Sequence, residues 1–289
     1  MKNIPTCMGQ RIRIKKSKWV AGFCLCIMLF LLHPSCWALT LTLPDTAYQG
    51  DLIIGTVHPD ARVRLKDQML PVGPGGHFVI AVPRDQKKDL RVTALQNSQK
   101  TSHIIRIWAY PWHTQHVEGL PKRYVTPDAK QQRKIREDAR KIRTIRNSPP
   151  YPVPFFIKKG FVKPVAGKVT SQFGNQRILN GQPRNPHSGV DIAAPTGKPV
   201  HSPADGIVRL AAENFYLMGN TLLLDHGLGV SSIFIHLESI HAHVGDVVRQ
   251  GDVIAAVGKT GRATGPHLHW GIYVGSIAVD PLRVLKNRF

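Results

Sequence analysis

The chain has 289 residues and a formal net charge of +21, enough length for one or two domains with cores of their own. So basic a balance implies an anionic neighbour: nucleic acid, a membrane surface or an acidic polymer. All 4 cysteines, Cys7, Cys24, Cys26 and Cys36, precede residue 39, which excludes a disulfide framework and a thiolate metal site from the remainder.

Residues 1–38 read as a signal peptide, with a retained N-terminal anchor as the alternative. Lys2, Arg11, Arg13, Lys15, Lys16 and Lys18 come without an acid, and the apolar run Trp19–Leu32 follows. At 14 residues that run is short for a membrane span and suits a leader core. Ser35-Cys36-Trp37-Ala38 offers small residues before a cleavage point. Export is therefore expected, to the periplasm or cell envelope. Beyond the leader, 33 basic and 18 acidic residues remain. Export makes nucleic acid the weaker partner, and no basic segment is interleaved with aromatics as a nucleic-acid platform would be. A carboxylate-rich wall polymer or anionic lipid fits better.

Residues 39–116 alternate short strands with turns: DLIIGTV, ARVRLK, GHFVIAV and LRVTAL. Their length and spacing predict a small β-sandwich. His58, His77, His103, His113 and His116 are scattered through it and read as surface or packing residues. Residues 117–154 predict a basic helix and a proline-rich joint. Thr126 is the expected N-cap, Pro127 suits the first helical position, and Ile135, Ala139, Ile142 and Ile145 form one narrow apolar stripe. Its other faces carry eight Lys or Arg side chains between Lys130 and Arg146. The helix is expected to rest its stripe on a domain, and its basic faces offer a contact for an anionic envelope polymer or lipid. Ser148-Pro149-Pro150 stops it.

From 155 to 289 short strands return between Gly, Pro and Asn clusters, and the segment HVGDVVRQGDVIAAVG repeats Gly-Asp-Val after six residues. This predicts a tightly coiled all-β domain, so the fold class is mostly β throughout. His267 and His269 flank Leu268. On a strand both imidazoles project from one face while Leu268 turns to the core. Two adjacent imidazoles are poor core residues, because their nitrogens need partners, and imidazole is a common zinc ligand. His187 and Asp191 lie four apart in NPHSGVDIAAP, where Ser188-Gly189 lets the chain turn closely. One imidazole, one carboxylate and one further histidine would leave a fourth zinc position open, as in catalytic sites. His236, in SIFIHLESI, has a core histidine as its default reading. If its strand runs beside the others, it can face the site instead. His226, His201, His241 and His243 read as turn or strand-end residues.

His187-Ser188-Gly189-Val190-Asp191 and His267-Leu268-His269 resemble the H-x-G-x-D and H-x-H motifs of the M23 (LytM or lysostaphin-like) zinc metallopeptidases, and His236-Leu237 resembles their intermediate catalytic histidine. PVAGKVTSQFG, APTGKPVHSPADGIV, GNTLLLDHG and GDVIAAVGKTGRATGPHLHW are similar to the same domain, over roughly the last 130 residues. The resemblance implies zinc ligands at His187, Asp191 and His269, catalytic histidines at His236 and His267, and peptidoglycan as substrate. It implies a zinc endopeptidase that cuts peptide cross-links. The alternative is a non-catalytic wall-binding regulator that activates a partner amidase, and a protein regulator of this chain is a further expected partner. Where many members carry a tyrosine, Phe234-Ile235 precede His236. The order of the parts suggests that the N-terminal sandwich positions or covers the catalytic groove.

Overall fold

The computed structural model describes residues 38–287, so the expected leader lies outside the described residues apart from Ala38. Among the described residues no helix is long and apolar enough to cross a membrane. The first strands are β1 (Leu41–Thr42), β2 (Thr46–Tyr48), β3 (Leu52–Val57), β4 (Arg62–Leu65), β5 (Gln68–Leu70), β6 (His77–Ala81), β7 (Leu90–Gln96) and β8 (Gln99–Trp108). They build a three-stranded sheet, β1-β3-β6, and a five-stranded sheet, β2-β8-β7-β4-β5. Alternation along each strand sets the faces: in β4, Val63 is buried while Arg62 and Arg64 are exposed. Val57, Phe78 and Ile80 of the smaller sheet meet Val63, Val92, Ala94 and Ile105 of the larger in one apolar cluster.

The chain continues through β9 (Thr114–Val117), α1 (Lys122–Val125) and α2 (Ala129–Arg146). The N-cap of α2 is Asp128, not Thr126. Asp128 Oδ1 accepts from Gln131 N at 2.8 Å, and Gln131 Oε1 accepts from Asp128 N at 3.0 Å. This reciprocal box satisfies two of the free amides at the helix start, whereas the Thr126 hydroxyl donates backwards to Lys122 O and closes α1. The expected stripe docks, with Ile142 packed on Phe215, Leu223 and Ile233. Asp138 adds a polar anchor: it is 1% exposed and accepts from Tyr216 N at 2.8 Å and from Lys134 Nζ at 2.7 Å. The Arg146 guanidinium lies 3.3 Å from the Tyr273 ring centroid. Lys130, Arg133, Arg136, Arg140, Lys141 and Arg143 face solvent.

The C-terminal strands are β10 (Lys168–Ser171), β11 (Gln176–Leu179), β12 (Gln182–Pro183), β13 (Val190–Ala193), β14 (Pro199–His201), β15 (Gly206–Phe215), β16 (Gly219–Gly227), β17 (Val230–Ile240), β18 (Val247–Val248), β19 (Val253–Val257), β20 (His267–Val274) and β21 (Ile277–Val279), with α3 (Pro281–Val284) last. Most join one sheet along the path β10-β13-β20-β17-β16-β15-β18, to which β14, β19 and β21 attach. The Gly-Asp-Val echo is one turn made twice: Asp246 and Asp252 each accept from the backbone amide three residues earlier, at 2.8 and 2.7 Å.

The N-terminal and C-terminal parts share a core. Leu52, Val79 and Ala81 pack in the same cluster as Phe156, Phe173 and Trp270. Beside it, Arg84 Nε donates to Gly174 O at 2.6 Å and Trp112 meets Phe173 edge-on. Gly174 has φ +79°, and a Cβ there would come within 2.2 Å of the Trp112 ring, so this position requires glycine. β9 leaves the N-terminal sheets and pairs in parallel with β11, Thr114 opposite Gln176.

His226 lies at the end of its strand, as read, but it is not at the surface. It is buried in β16, with Nδ1 on Asp205 O and Nε2 on Ser232 Oγ, both at 2.8 Å. Burial pushes its pKa down from 6.5 to about 4. The unfolded chain therefore takes up the proton first. The stability that His226 contributes is complete above pH 6.5 and lost as pH falls toward 4, a swing on the order of 3 kcal/mol. Urea unfolding between pH 7 and 4.5 is expected to show this loss, and His226→Asn to remove its share of the slope. Equal slopes in the two proteins would contradict it.

Candidate metal centre

The site is assembled on β13, β20 and β17. Along β13, Val190 and Ile192 are fully buried in the core, which turns Asp191 to the opposite face. Along β20, Leu268, Trp270 and Ile272 do the same and turn His267 and His269 outward from that core. The antiparallel register places Asp191 directly opposite His269. Close approach of the two strands depends on Gly189: a Cβ there would lie 2.4 Å from Trp270 O and 2.8 Å from His269 Nε2. His187, two residues before this glycine, is held from behind. Its backbone N–H donates to Asn175 O, and its Nδ1 meets Gln172 O at 3.0 Å and Ser171 Oγ at 2.9 Å.

These contacts bring together three of the residues read from the sequence. His187 Nε2 lies 3.0 Å from Asp191 Oδ1, His269 Nδ1 lies 2.8 Å from the same oxygen, and the two nitrogens are 2.9 Å apart. All three residues are buried. The separations are near the edge of a tetrahedral zinc ligand set, about 3.3 Å for Zn–N bonds of about 2.0 Å. The donor set of two imidazoles and one carboxylate suits that ion as well. Burial raises the Asp191 carboxyl, but hydrogen bonds and charge from His187 and His269 outweigh it and hold it well below the usual carboxylate range. Burial lowers His269 to about 4 against the pull of Asp191, so its imidazole is neutral at pH 7 and free to act as a ligand.

His236 and His267 stand beside this trio. The His236 ring centroid is 4.8 Å from that of His267 and 6.4 Å from that of His269. His267 Nε2 is 4.0 Å from Asp191 Oδ1. Each has its Nδ1 2.8 Å from a backbone carbonyl, Thr260 O for His236 and Gly265 O for His267. Nδ1–H donates there, so Nε2 is the nitrogen left for chemistry. His236 has φ +65°, a conformation that costs a non-glycine residue about 1–3 kcal/mol. It sits where β17 stops pairing with β20, at Ile235, and takes up β19, at Leu237. The irregularity aims this side chain out of the strand alternation and into the site. Burial, with His267 and His269 next, pushes its pKa down to about 3.

Two cavities flank the centre. One of 680 Å³ is lined by His187, His236 and His269, and α2 closes its side with Ile135, Asp138 and Ala139. The other, of 480 Å³, is lined by Asp191, His236 and His267 and by His116, Val117 and Glu118 of the segment entering from the N-terminal part. Arg177, Leu179, His236 and Arg262 border both. Several of these groups went unread in the sequence. Arg177 Nη2 donates to Asp191 Oδ2. Gln115 Oε1 accepts from Ser171 Oγ at 2.6 Å, which links β9 to the residue behind His187. No spacing rule marks Arg177 or Gln115. Arg262 carried a local signal, five residues before His267 in GRATGPH. The exposed pair His241 and His243 lies outside the site, as its surface reading required.

Residues 185–281 match the model of peptidase family M23. Over 98 residues the chain is 40% identical to the peptidoglycan DD-endopeptidase ShyB of Vibrio cholerae, covering 34% of this chain and 23% of that protein. Over 129 residues it is 36% identical to the DD-carboxypeptidase/endopeptidase Mpg of Neisseria meningitidis, covering 44% and 30%. A metalloprotease of Haemophilus influenzae is 37% identical over 133 residues, covering 44% and 28%. The chain thus spans no more than about a third of the length of these relatives. A solved structure described as an M23 peptidase, from Pseudomonas aeruginosa, superposes on 84% of this chain and 96% of its own, at 25% identity and a TM-score of 0.65.

Gly189→Ala is expected to force β13 away from β20, at a cost of about 1–3 kcal/mol, and to lower metal affinity more than stability alone explains. Denaturation together with zinc titration of the folded variant checks this; unchanged zinc affinity would show that the strand spacing does not set the site.

Proposed function

We propose that the protein is an exported zinc metalloendopeptidase that hydrolyses peptide cross-links of bacterial peptidoglycan, a reading supported by the match of residues 185–281 to the model of peptidase family M23. The observation that carries this reading is the buried convergence of His187, Asp191 and His269 with His236 and His267 at its open side. The peptidoglycan DD-endopeptidases among the relatives supply the substrate class.

In this reading His187, Asp191 and His269 hold zinc, which when bound supplies Lewis acidity toward the scissile carbonyl and lowers the pKa of water toward ~7. The chain's own groups do the rest. Gln172 O and Ser171 hold His187 in the tautomer that leaves Nε2 as a donor of electrons. His236 or His267 accepts a proton at Nε2 from the attacking water. Once protonated, the same nitrogen donates a hydrogen bond to the oxyanion or a proton to the leaving amine. The two flanking cavities give an extended peptide room on either side of the centre. The solvent-facing cations of α2 are a contact for an anionic envelope polymer or lipid. A complete donor set favours hydrolysis over the role of a non-catalytic regulator.

His187→Ala, Asp191→Ala and His269→Ala are expected to lose both bound zinc and release of peptides from isolated peptidoglycan. His236→Ala and His267→Ala should keep zinc and lose roughly 10²–10⁴-fold in turnover. Metal analysis beside product mass spectrometry separates the two groups. A wild-type protein that binds zinc but releases nothing would favour the regulator.

A further inference from the structure

Three guanidiniums crowd one side of the metal centre, and two of them have nearby oxygens to answer to. Arg177 donates to Asp191 Oδ2 and, at 3.2 Å, to Ser171 Oγ. Arg184 donates to the carbonyls of Pro183 and Val125 at 2.7 and 2.5 Å. Arg262 is different. It is half-buried, borders both cavities, and its side chain has no hydrogen-bond or ion-pair partner among the described residues. Its backbone is fixed, since Arg262 N–H donates to Leu217 O at 2.9 Å. Burial and then the like charges of Arg177 and Arg184 lower its pKa to about 10.

The acids of the cavity walls leave Arg262 unanswered. Asp138 is taken up by Tyr216 N and Lys134. Asp191 spends one oxygen on the two imidazoles and the other on Arg177. Glu118 is exposed, at the edge of the smaller cavity. A guanidinium that is partly desolvated among its own kind is costly unless an anion joins it. A planar carboxylate matches its fork of donors.

We propose that Arg262, supported by Arg177 and Arg184, forms a carboxylate-binding subsite beside the metal centre and selects peptides with a free carboxylate next to the scissile amide. This rests on the hydrolase reading above and narrows its substrate class to acidic peptides. Arg262 is a specificity residue here. It holds the substrate and takes no part in proton transfer.

The test uses two N-acetylated peptides that differ only at the residue following the scissile amide, where one carries a free carboxylate and the other its carboxamide. The zinc-loaded wild-type protein is expected to prefer the carboxylate peptide by roughly 10- to 100-fold in kcat/KM, the range of one charge-assisted hydrogen-bond pair. In Arg262→Gln that preference should fall to near unity, chiefly through KM, and Arg262→Lys should restore part of it. Calorimetry of the same pair on metal-free protein gives a readout independent of turnover, and there too the carboxylate preference should vanish in Arg262→Gln. Turnover of both peptides without preference, or an equal loss for both in Arg262→Gln, would overturn the subsite and leave the hydrolase intact. Preferential binding that depends on Arg262, with neither peptide cut, would support the subsite and sink the hydrolase reading instead.

Discussion

One carboxylate, buried between two imidazoles and a guanidinium, organises the functional end of this protein. Asp191 turns Oδ1 to His187 and His269 and Oδ2 to Arg177. A buried charge persists only where such partners replace water. The partners arrive because β13 and β20 are in a register that sets Asp191 opposite His269. That register is enforced from the other side of the sheet, where Val190, Ile192, Leu268 and Trp270 fill the core. A slip of one residue would exchange the two faces and put the Asp191 and His269 side chains into hydrocarbon. The cluster of His187, Asp191 and His269 and the hydrophobic core are thus two faces of one pairing.

Around this pivot the walls come from distant parts of the chain. α2 rests on β15, β16 and β17 through Ile142 and Asp138 and closes the larger cavity with Ile135 and Ala139. β9, which follows the N-terminal sheets, adds to β11 and reaches Ser171 with Gln115. Trp112 against Phe173 and Gly174 carries the packing of the N-terminal part to the loop that holds His187. The walls of the site therefore draw on β9, α2 and the C-terminal strands, though His187, Asp191, His236, His267 and His269 all lie in the C-terminal part.

Positive charge is divided between two environments. The solvent-facing cations of α2 are hydrated and screened by salt. Arg177, Arg184 and Arg262 are partly shielded from water, and each needs a near partner. Net charge of the sequence does not distinguish these two classes, though their physical consequences are opposite.

The alternation of short apolar strands made the mostly β class legible, and the H-x-G-x-D and H-x-H spacings singled out His187, Asp191, His267 and His269 before any fold was known. Those are local properties: a strand sends every second side chain to one face, and ligands two or four apart share a face or a turn. His236 was legible only through its resemblance to a family motif. Its orientation follows from a switch of strand partners and a left-handed backbone, which no local rule signals. The cap at Asp128 is a local box with Gln131, but burial of His226, the wall formed by α2 and the meeting of Arg177 with Asp191 were decided by tertiary structure. Each depends on residues far apart in the chain that compete for the same hydrogen-bond partners and the same buried volume, and that competition is resolved only when the strands are in register.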